Sequence, residues 1–260
     1  MTELAVVKLG GSLLDDPQLR ALALDAIAQR WNQNPNLVVV HGGGKNIDRA
    51  LARAGIPKRT VQGLRVTDAQ TLEIVTGVLA GNVNKSLIAE LAISGVAASG
   101  FSGADGGTIQ ANLHPPIDGT DLGFVGRVFA SDPALALTLL AGGFLPVIAS
   151  LGKSPDGSLL NVNADAAAAA VAVAIGATKL VFLTDIEGVL DTNGTIVPSL
   201  DMSGAAALLA SPAVSGGMEP KLRACLEALA GGVSNVVIAG PSRHAASLAG
   251  GEGGTHLVAA

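Results

Sequence analysis

"KLGGSLL" (Lys8–Leu14) and "HGGGKNIDRA" (His41–Ala50) are the two stretches on which the reading of this chain turns. Each follows a short apolar run, Leu4–Val7 in one case and Leu37–Val40 in the other, and each leads into a segment of helical composition. A glycine cluster at a strand-to-helix turn lets backbone N–H groups crowd around an anion, commonly a phosphate or a carboxylate. Two such turns in succession, with Lys8 on the first, point to one anion-binding cleft served by two loops. The spacing is neither the G-x-x-x-x-G-K-[ST] phosphate loop nor the G-x-G-x-x-G dinucleotide pattern.

Outward from these turns, short Val/Ile/Leu runs alternate with longer helical segments, the signature of βαβ units and a largely parallel α/β sheet. Strands are predicted at Leu4–Lys8, Leu37–His41, Val96–Ala98, Leu145–Ser150, Leu180–Thr184 and Val233–Ala239. Helices are predicted at Pro17–Trp31, Asn46–Ala54, Asp68–Ile93, Pro133–Ala141, Ala164–Ile175, Ser203–Ala210 and Glu219–Ala230. The Gly-, Pro- and Asp-rich stretch Gly103–Val128 reads instead as hairpins protruding beside the sheet. Open parallel sheets place ligands at the C-terminal ends of their strands, which is where both glycine turns fall.

The 260 residues are 49% hydrophobic and 14% charged, enough to bury a large core. With a net charge of −5, five Phe, one Trp and no Tyr, the chain has neither a basic face nor an aromatic platform, so nucleic acid is not an expected partner. Cys225 is the only cysteine, which excludes an intramolecular disulfide and a cysteine metal site. Pro133–Gly152 carries no charge over a length that could span a bilayer, but Gly142-Gly143 and Pro146 divide it into a helix and a buried strand. The N-terminal "MTELAVVKLGG" does not read as a secretory signal. A soluble, cytoplasmic protein without a membrane span is therefore expected.

Several side chains fit anion chemistry, each with an ordinary structural alternative. Lys8 beside Gly10-Gly11 suits a transferring phosphoryl group, or is a solvated lysine on a tight turn. Arg65 in "GLRVTDAQT", just before a helix that Thr67 would cap, offers a planar fork for a carboxylate, or is a solvated loop arginine. In "NVNAD", Asn163 is the expected N-cap and Asp165 the carboxylate favoured by the first helical turn. Asp165 either serves the cap alone or orients cations, with Asn161 hydrogen-bonding a substrate. "TDIEGVLD" (Thr184–Asp191) could supply nucleotide contacts. Lys221 in "AVSGGMEPKLRA" sits near a helix N-terminus against the dipole, a placement that points to a nearby anion, or is an ordinary surface lysine.

Taken together, and in order, KLGGS, VVVHGGGK, GLRVTD, LAGNVNKSL, GFSGADGG, DLGFVG, LPVIASLG, NVNADAAA, LTDIEGVLD, SGGMEPKL and GGTHL resemble the amino acid kinase family. The resemblance is strongest to the branch that phosphorylates N-acetylglutamate. It implies a three-layer αβα sandwich with a mainly parallel open sheet and two lobes: residues 1–175 for the acid and dimerisation, and 176–260 for ATP. It also implies transfer of the ATP γ-phosphoryl, with Mg²⁺ accompanying ATP, to the γ-carboxylate of N-acetyl-L-glutamate in arginine biosynthesis. Lys8 and Lys221 then match the lysines that stabilise the phosphoryl group, and Asp165 the carboxylate that positions them. Gly11 and Gly44 match its N–H donors, while Gly43, Gly44, Arg65 and Asn161 match the substrate contacts. Asp185, Ile186, Glu187, Gly188, Val189 and Leu190, with Ala213, Val214 and Ser215, match the nucleotide contacts; no resident metal is implied. His41 is read as structural. Ala104 and Arg127 stand where many members have lysine and glutamate. With the first strand beginning at Leu4, the resemblance implies an arginine-insensitive homodimer with Asp68–Ile93 near its interface. A related acid (aspartate, carbamate, or carrier-linked aminoadipate or glutamate) and a non-catalytic nucleotide-binding role are the competing readings.

Overall fold

The computed structural model describes residues 3–191, 194–211, 217–251 and 253–259. The chain begins β1 (Ala5–Leu9), α1 (Gly11–Asp15), α2 (Pro17–Gln33), β2 (Leu37–His41) and α3 (Gly44–Arg53). Every residue of β1 and β2 is buried, because helices cover both faces of the sheet. α2 starts at Asp16, whose carboxylate accepts from the N–H groups of Gln18 (2.8 Å) and Leu19 (3.1 Å), with Pro17 preset for the first turn.

A two-stranded ribbon follows, β3 (Thr60–Val61) and β4 (Leu64–Arg65). Next comes one long helical run, α4 (Ala69–Thr76), a wider π-type stretch (Gly77–Val83) and α5 (Asn84–Ile93). The predicted cap moves by one residue: Asp68 accepts from Thr71 N–H (2.8 Å), whereas the Thr67 hydroxyl donates to the Arg65 carbonyl (2.7 Å). The next elements are β5 (Ala98–Ser102), β6 (Gln110–Leu113), β7 (Val125–Ala130), α6 (Ala134–Ala141), β8 (Leu145–Ala149), β9 (Leu151–Lys153) and β10 (Leu159–Val162). The strand expected at Val96–Ala98 thus lies further on. The stretch expected to form hairpins beside the sheet pairs β6 with β7 antiparallel, and the pair is part of a small closed barrel of order β10-β7-β6-β9. The uncharged stretch 133–152 divides into α6 and β8 as read, and among the described residues no helix is long and apolar enough to cross a membrane.

The last elements are α7 (Ala164–Ala174), β11 (Lys179–Leu183), β12 (Ser199–Asp201), α8 (Met202–Leu209), α9 (Met218–Ala230), β13 (Asn235–Ala239), α10 (His244–Leu248) and β14 (Thr255–Val258). The main sheet has eight strands in the order β12-β14-β13-β11-β1-β2-β8-β5. All its pairs are parallel except β13 with β14. Alternate residues feed two cores. Val7, Leu9 and Val39 pack with α2, α3 and α5, while Val6, Val38 and Phe182 pack with α7 and α9. This is the three-layer sandwich. From β1 the chain moves to β2 on one side, and from β11 to β13 on the other, so the topological switch lies between β1 and β11 and opens a crevice at their C-terminal ends.

Candidate active site

The two glycine turns touch each other at that crevice. A Cβ on Gly11 would come within 2.9 Å of the Gly44 nitrogen, so the close approach excludes a side chain there. Gly43 is pressed from behind by Leu79, whose Cδ2 would lie 2.9 Å from an added Cβ. Gly44 differs: a Cβ there would meet nothing within 4 Å. α3 begins with no side-chain cap, which leaves its first N–H donors free for a ligand.

Lys8 projects from the end of β1, where it pairs in register with Val40 and Phe182. Asn163 caps α7, accepting from the N–H groups of Asp165 (2.9 Å) and Ala166 (3.1 Å), and so fixes Asp165 in the first turn. Lys221 lies in the first turns of α9, which packs along α7. The three groups converge: Lys8 Nζ lies 2.7 Å from Asp165 Oδ1, and Lys221 Nζ lies 3.3 Å from both Asp165 oxygens. Lys8 is 6% exposed, Asp165 6% and Lys221 7%. Lys221 also sits 5.2 Å from the centroid of the Phe182 ring, a cation–π contact. Burial opposes ionisation of Asp165, but the two ammonium groups outweigh it and hold the carboxyl below its usual range. Burial pushes Lys8 down from the usual lysine value against the pull of Asp165. Two lysines converge on the one carboxylate that both touch, beside N–H donors unfilled among the described residues, an arrangement suited to an anion, with the Asp185 charge also acting on Lys8.

A second group of polar residues lies beside the Gly44 turn. Arg65 Nη2 bonds Asp48 and donates to the Gly44 carbonyl (3.3 Å), while its buried Nη1 has no partner among the described residues. Partial burial works against the Asp48 carboxylate, but Lys58 and Arg65 hold it below the usual range. Asn161 Nδ2 donates to Thr67 Oγ1 (3.1 Å), and the Thr67 hydroxyl donates on to the Arg65 carbonyl. Arg65 and Asn161 are thus joined through a buried threonine. Asp48, one turn into α3, was missed by the sequence reading; its spacing from Gly44 was the available signal. His41 is fully buried and bonded to Gly42 and Asn84, as its structural reading requires.

Across the crevice, the loop after β11 carries Asp185, Ile186, Glu187, Gly188, Val189 and Leu190. Partial burial raises the Asp185 carboxyl, but the Ser12 and Thr184 hydroxyls and the Lys45 charge bring it below the usual range, which ties this loop to the first glycine turn. Val189 N–H donates to Thr255 Oγ1 (2.8 Å), and Glu187 accepts from the Ser242 hydroxyl (2.6 Å). Ile186 and Leu190 expose apolar side chains. Ala213, Val214 and Ser215 lie outside the described residues. A groove of about 750 Å³ lies elsewhere, between β7 and the outer faces of α7 and α9, with Arg127 on its wall.

The model of the amino acid kinase family matches residues 3–240. The acetylglutamate kinase of Solibacter usitatus (strain Ellin6076) is 43% identical over 258 residues, covering 98% of this chain and 99% of that protein. Among solved structures, smu.665 from Streptococcus mutans UA159 superposes with a TM-score of 0.84 at 28% identity, covering 99% of both chains. N-acetylglutamate synthase from Neisseria gonorrhoeae, solved with coenzyme A and N-acetyl-glutamate, gives a TM-score of 0.85 at 28% identity, covering 98% of this chain and 59% of that one.

Proposed function

The chain belongs to the amino acid kinase family, and from that premise we propose that it transfers the γ-phosphoryl group of ATP to the γ-carboxylate of N-acetyl-L-glutamate, a step of arginine biosynthesis. The observation that carries the reading is the convergence of Lys8 and Lys221 on Asp165 beside two abutting glycine turns. A carboxylate is already ionised at neutral pH, so the reaction needs no strong base. A γ-carboxylate oxygen forms the new bond to phosphorus as the bond to the β–γ bridging oxygen breaks, leaving ADP and an acyl phosphate. Catalysis is positioning and charge stabilisation. Lys8 and Lys221 offset the charge on the migrating group, and Asp165 keeps the two cations together against their repulsion. Gly11 and Gly44 add N–H donors to that group.

The Nη1 of Arg65, without a partner among the described residues, would take the acid's other carboxylate, and Asn161 its acetamido end. Gly43 and Gly44 line the same place. Asp185–Leu190 would hold the nucleotide, with Ile186 and Leu190 against the base, and residues 213–215 completing the site. Mg²⁺ enters as part of the ATP complex. In this reading residues 1–175 bind the acid and 176–260 the nucleotide, so that Asp165 and Lys221 join the two lobes. A cytoplasmic homodimer fits Cys225, which is buried and unpaired, and the open edge of β5 beside the 86%-exposed Ile93.

The direct test is ADP release measured against N-acetylglutamate, glutamate, aspartate and aminoadipate. N-acetylglutamate should give the highest kcat/KM; a preference for another acid overturns the substrate assignment.

A further inference from the structure

The VNKSL motif (Val83–Leu87) has no place among the groups above, yet it leads back to them. His41 closes β2; its Nδ1 lies 3.0 Å from the Gly42 carbonyl and its Nε2 3.1 Å from Asn84 Nδ2. Asn84 is also fully buried, and its Nδ2 donates to the Val147 carbonyl of β8 (3.0 Å). Its Oδ1 accepts from Lys85 Nζ (3.1 Å), which donates in turn to the Gly100 carbonyl of β5 (2.7 Å). A Cβ at Gly100 would overlap Asn84 Oδ1, so the glycine in "ASGFS" makes room for the amide.

These contacts fix the imidazole tautomer. An amide NH₂ only donates, so Nε2 must be bare and the ring proton must sit on Nδ1, where it donates to the Gly42 carbonyl. The peptide bonds are trans, so the N–H that follows a carbonyl points the opposite way. With the Gly42 carbonyl held toward the buried ring, the Gly43 N–H points away from it, and it takes no partner among the described residues. Leu79 and Val83, from the π-type stretch, close the space behind Gly43.

We propose that His41, oriented by Asn84, is a positioning residue for the phosphoryl transfer: it sets the Gly42–Gly43 peptide so that the Gly43 N–H is presented to the acid substrate. The proposal rests on the reading of Gly42–Gly44 as the acid's cradle. The charged groups that act on the ring are Arg20 of α2, itself paired with Glu90, and Lys85 of α5. Burial and these cations push the imidazole down to about 4, so the ring stays neutral at working pH.

Three measurements test this. Two-bond ¹H–¹⁵N spectra of the intact protein at neutral pH, with His41 assigned by its loss in His41→Asn, should show a protonated Nδ1 and a bare Nε2; the reverse tautomer overturns the proposal. Among variants, His41→Leu should raise the KM for the acid by about tenfold while the ATP KM moves by less than about twofold. His41→Asn, whose Nδ2 can replace Nδ1 as donor to Gly42, should recover most of that loss. Equal acid KM values in wild type and His41→Leu, or two variants that lose only melting temperature, overturn it; if His41→Leu does not fold, the tautomer and His41→Asn decide. Gly44→Ala separates this proposal from the cradle reading, because its new Cβ enters space empty of protein. An unchanged acid KM there overturns the cradle itself. A raised acid KM in Gly44→Ala with an unchanged one in His41→Leu leaves the cradle standing and overturns only the role of His41.

Discussion

Lys8 and Arg65 are both cations paired with a carboxylate, but the two ends of the cleft they occupy are built differently. Lys8 shares Asp165 with Lys221, and all three are more than nine-tenths buried. Arg65 is tethered to Asp48, which remains part-exposed and also binds Lys58, and it keeps one buried nitrogen without a partner among the described residues. The first end is a closed electrostatic device whose field is the same whatever acid arrives. The second has a donor left over among the described residues. On the proposed function, the difference is a division of labour: the buried end would set turnover, and the Arg65 end would set which acid is held.

The largest effect should come from breaking the buried end at its centre. Asp165→Ala leaves two ammonium groups facing each other out of water, and unfolding titrations should show a loss of about 3–5 kcal/mol with activity abolished. A variant that kept both would remove Asp165 from its central place. Lys8→Ala should lower kcat by roughly 10²–10³, the scale of one preorganised donor, with little change in either KM. Steady-state rates within a few-fold of wild type would contradict the division. At the other end, Arg65→Ala should raise the acid KM by about tenfold or more and spare the ATP KM. Asp48→Asn, which only loosens the arginine, should move the same constant by about two- to fivefold; a larger fall in kcat than in acid affinity would blur the two ends into one.

A pH series sharpens the same contrast through stability. His41 titrates at about 4 when folded against 6.5 when unfolded, so acidification charges the unfolded chain first. Stability from this group is complete above pH 6.5 and is lost between 6.5 and about 4, on the order of 3 kcal/mol in all. The depressed Asp165 adds a loss at lower pH, as its folded carboxyl takes up a proton. Unfolding free energies of wild type and His41→Asn should therefore converge as pH falls from 7 to 4.5. Parallel curves would mean that the ring is not held neutral.

β1, β2, β8 and the helix over 68–93 were legible because fully buried strands and a long helical segment print themselves as composition. β5 was displaced because "ASGFS" looks like a loop: its glycine answers to Asn84, a neighbour remote in sequence. The barrel escaped for a similar reason. β9 and β10 have three and four residues, and β10 pairs with β7 across a long stretch of chain, so little of their signal is local. Lys8, Asp165, Lys221, Arg65 and Asn161 were named from motifs, and the structure brings the first three together at one point and joins the last two through Thr67. Asp48 and Asn84 were not named, since an acid on a helix face and an asparagine within a helix have many ordinary uses.

Lys8 has one further consequence, which follows from its place in the central strand. Side chains alternate between the two faces of a sheet, so sliding β1 by a single residue against Val40 and Phe182 would turn the ammonium into the opposite core and point a valine or a leucine at Asp165. A misaligned molecule could then be compact and helical yet wholly inert. After refolding from denaturant, recovered turnover would count correctly threaded molecules, where circular dichroism would count every collapsed one.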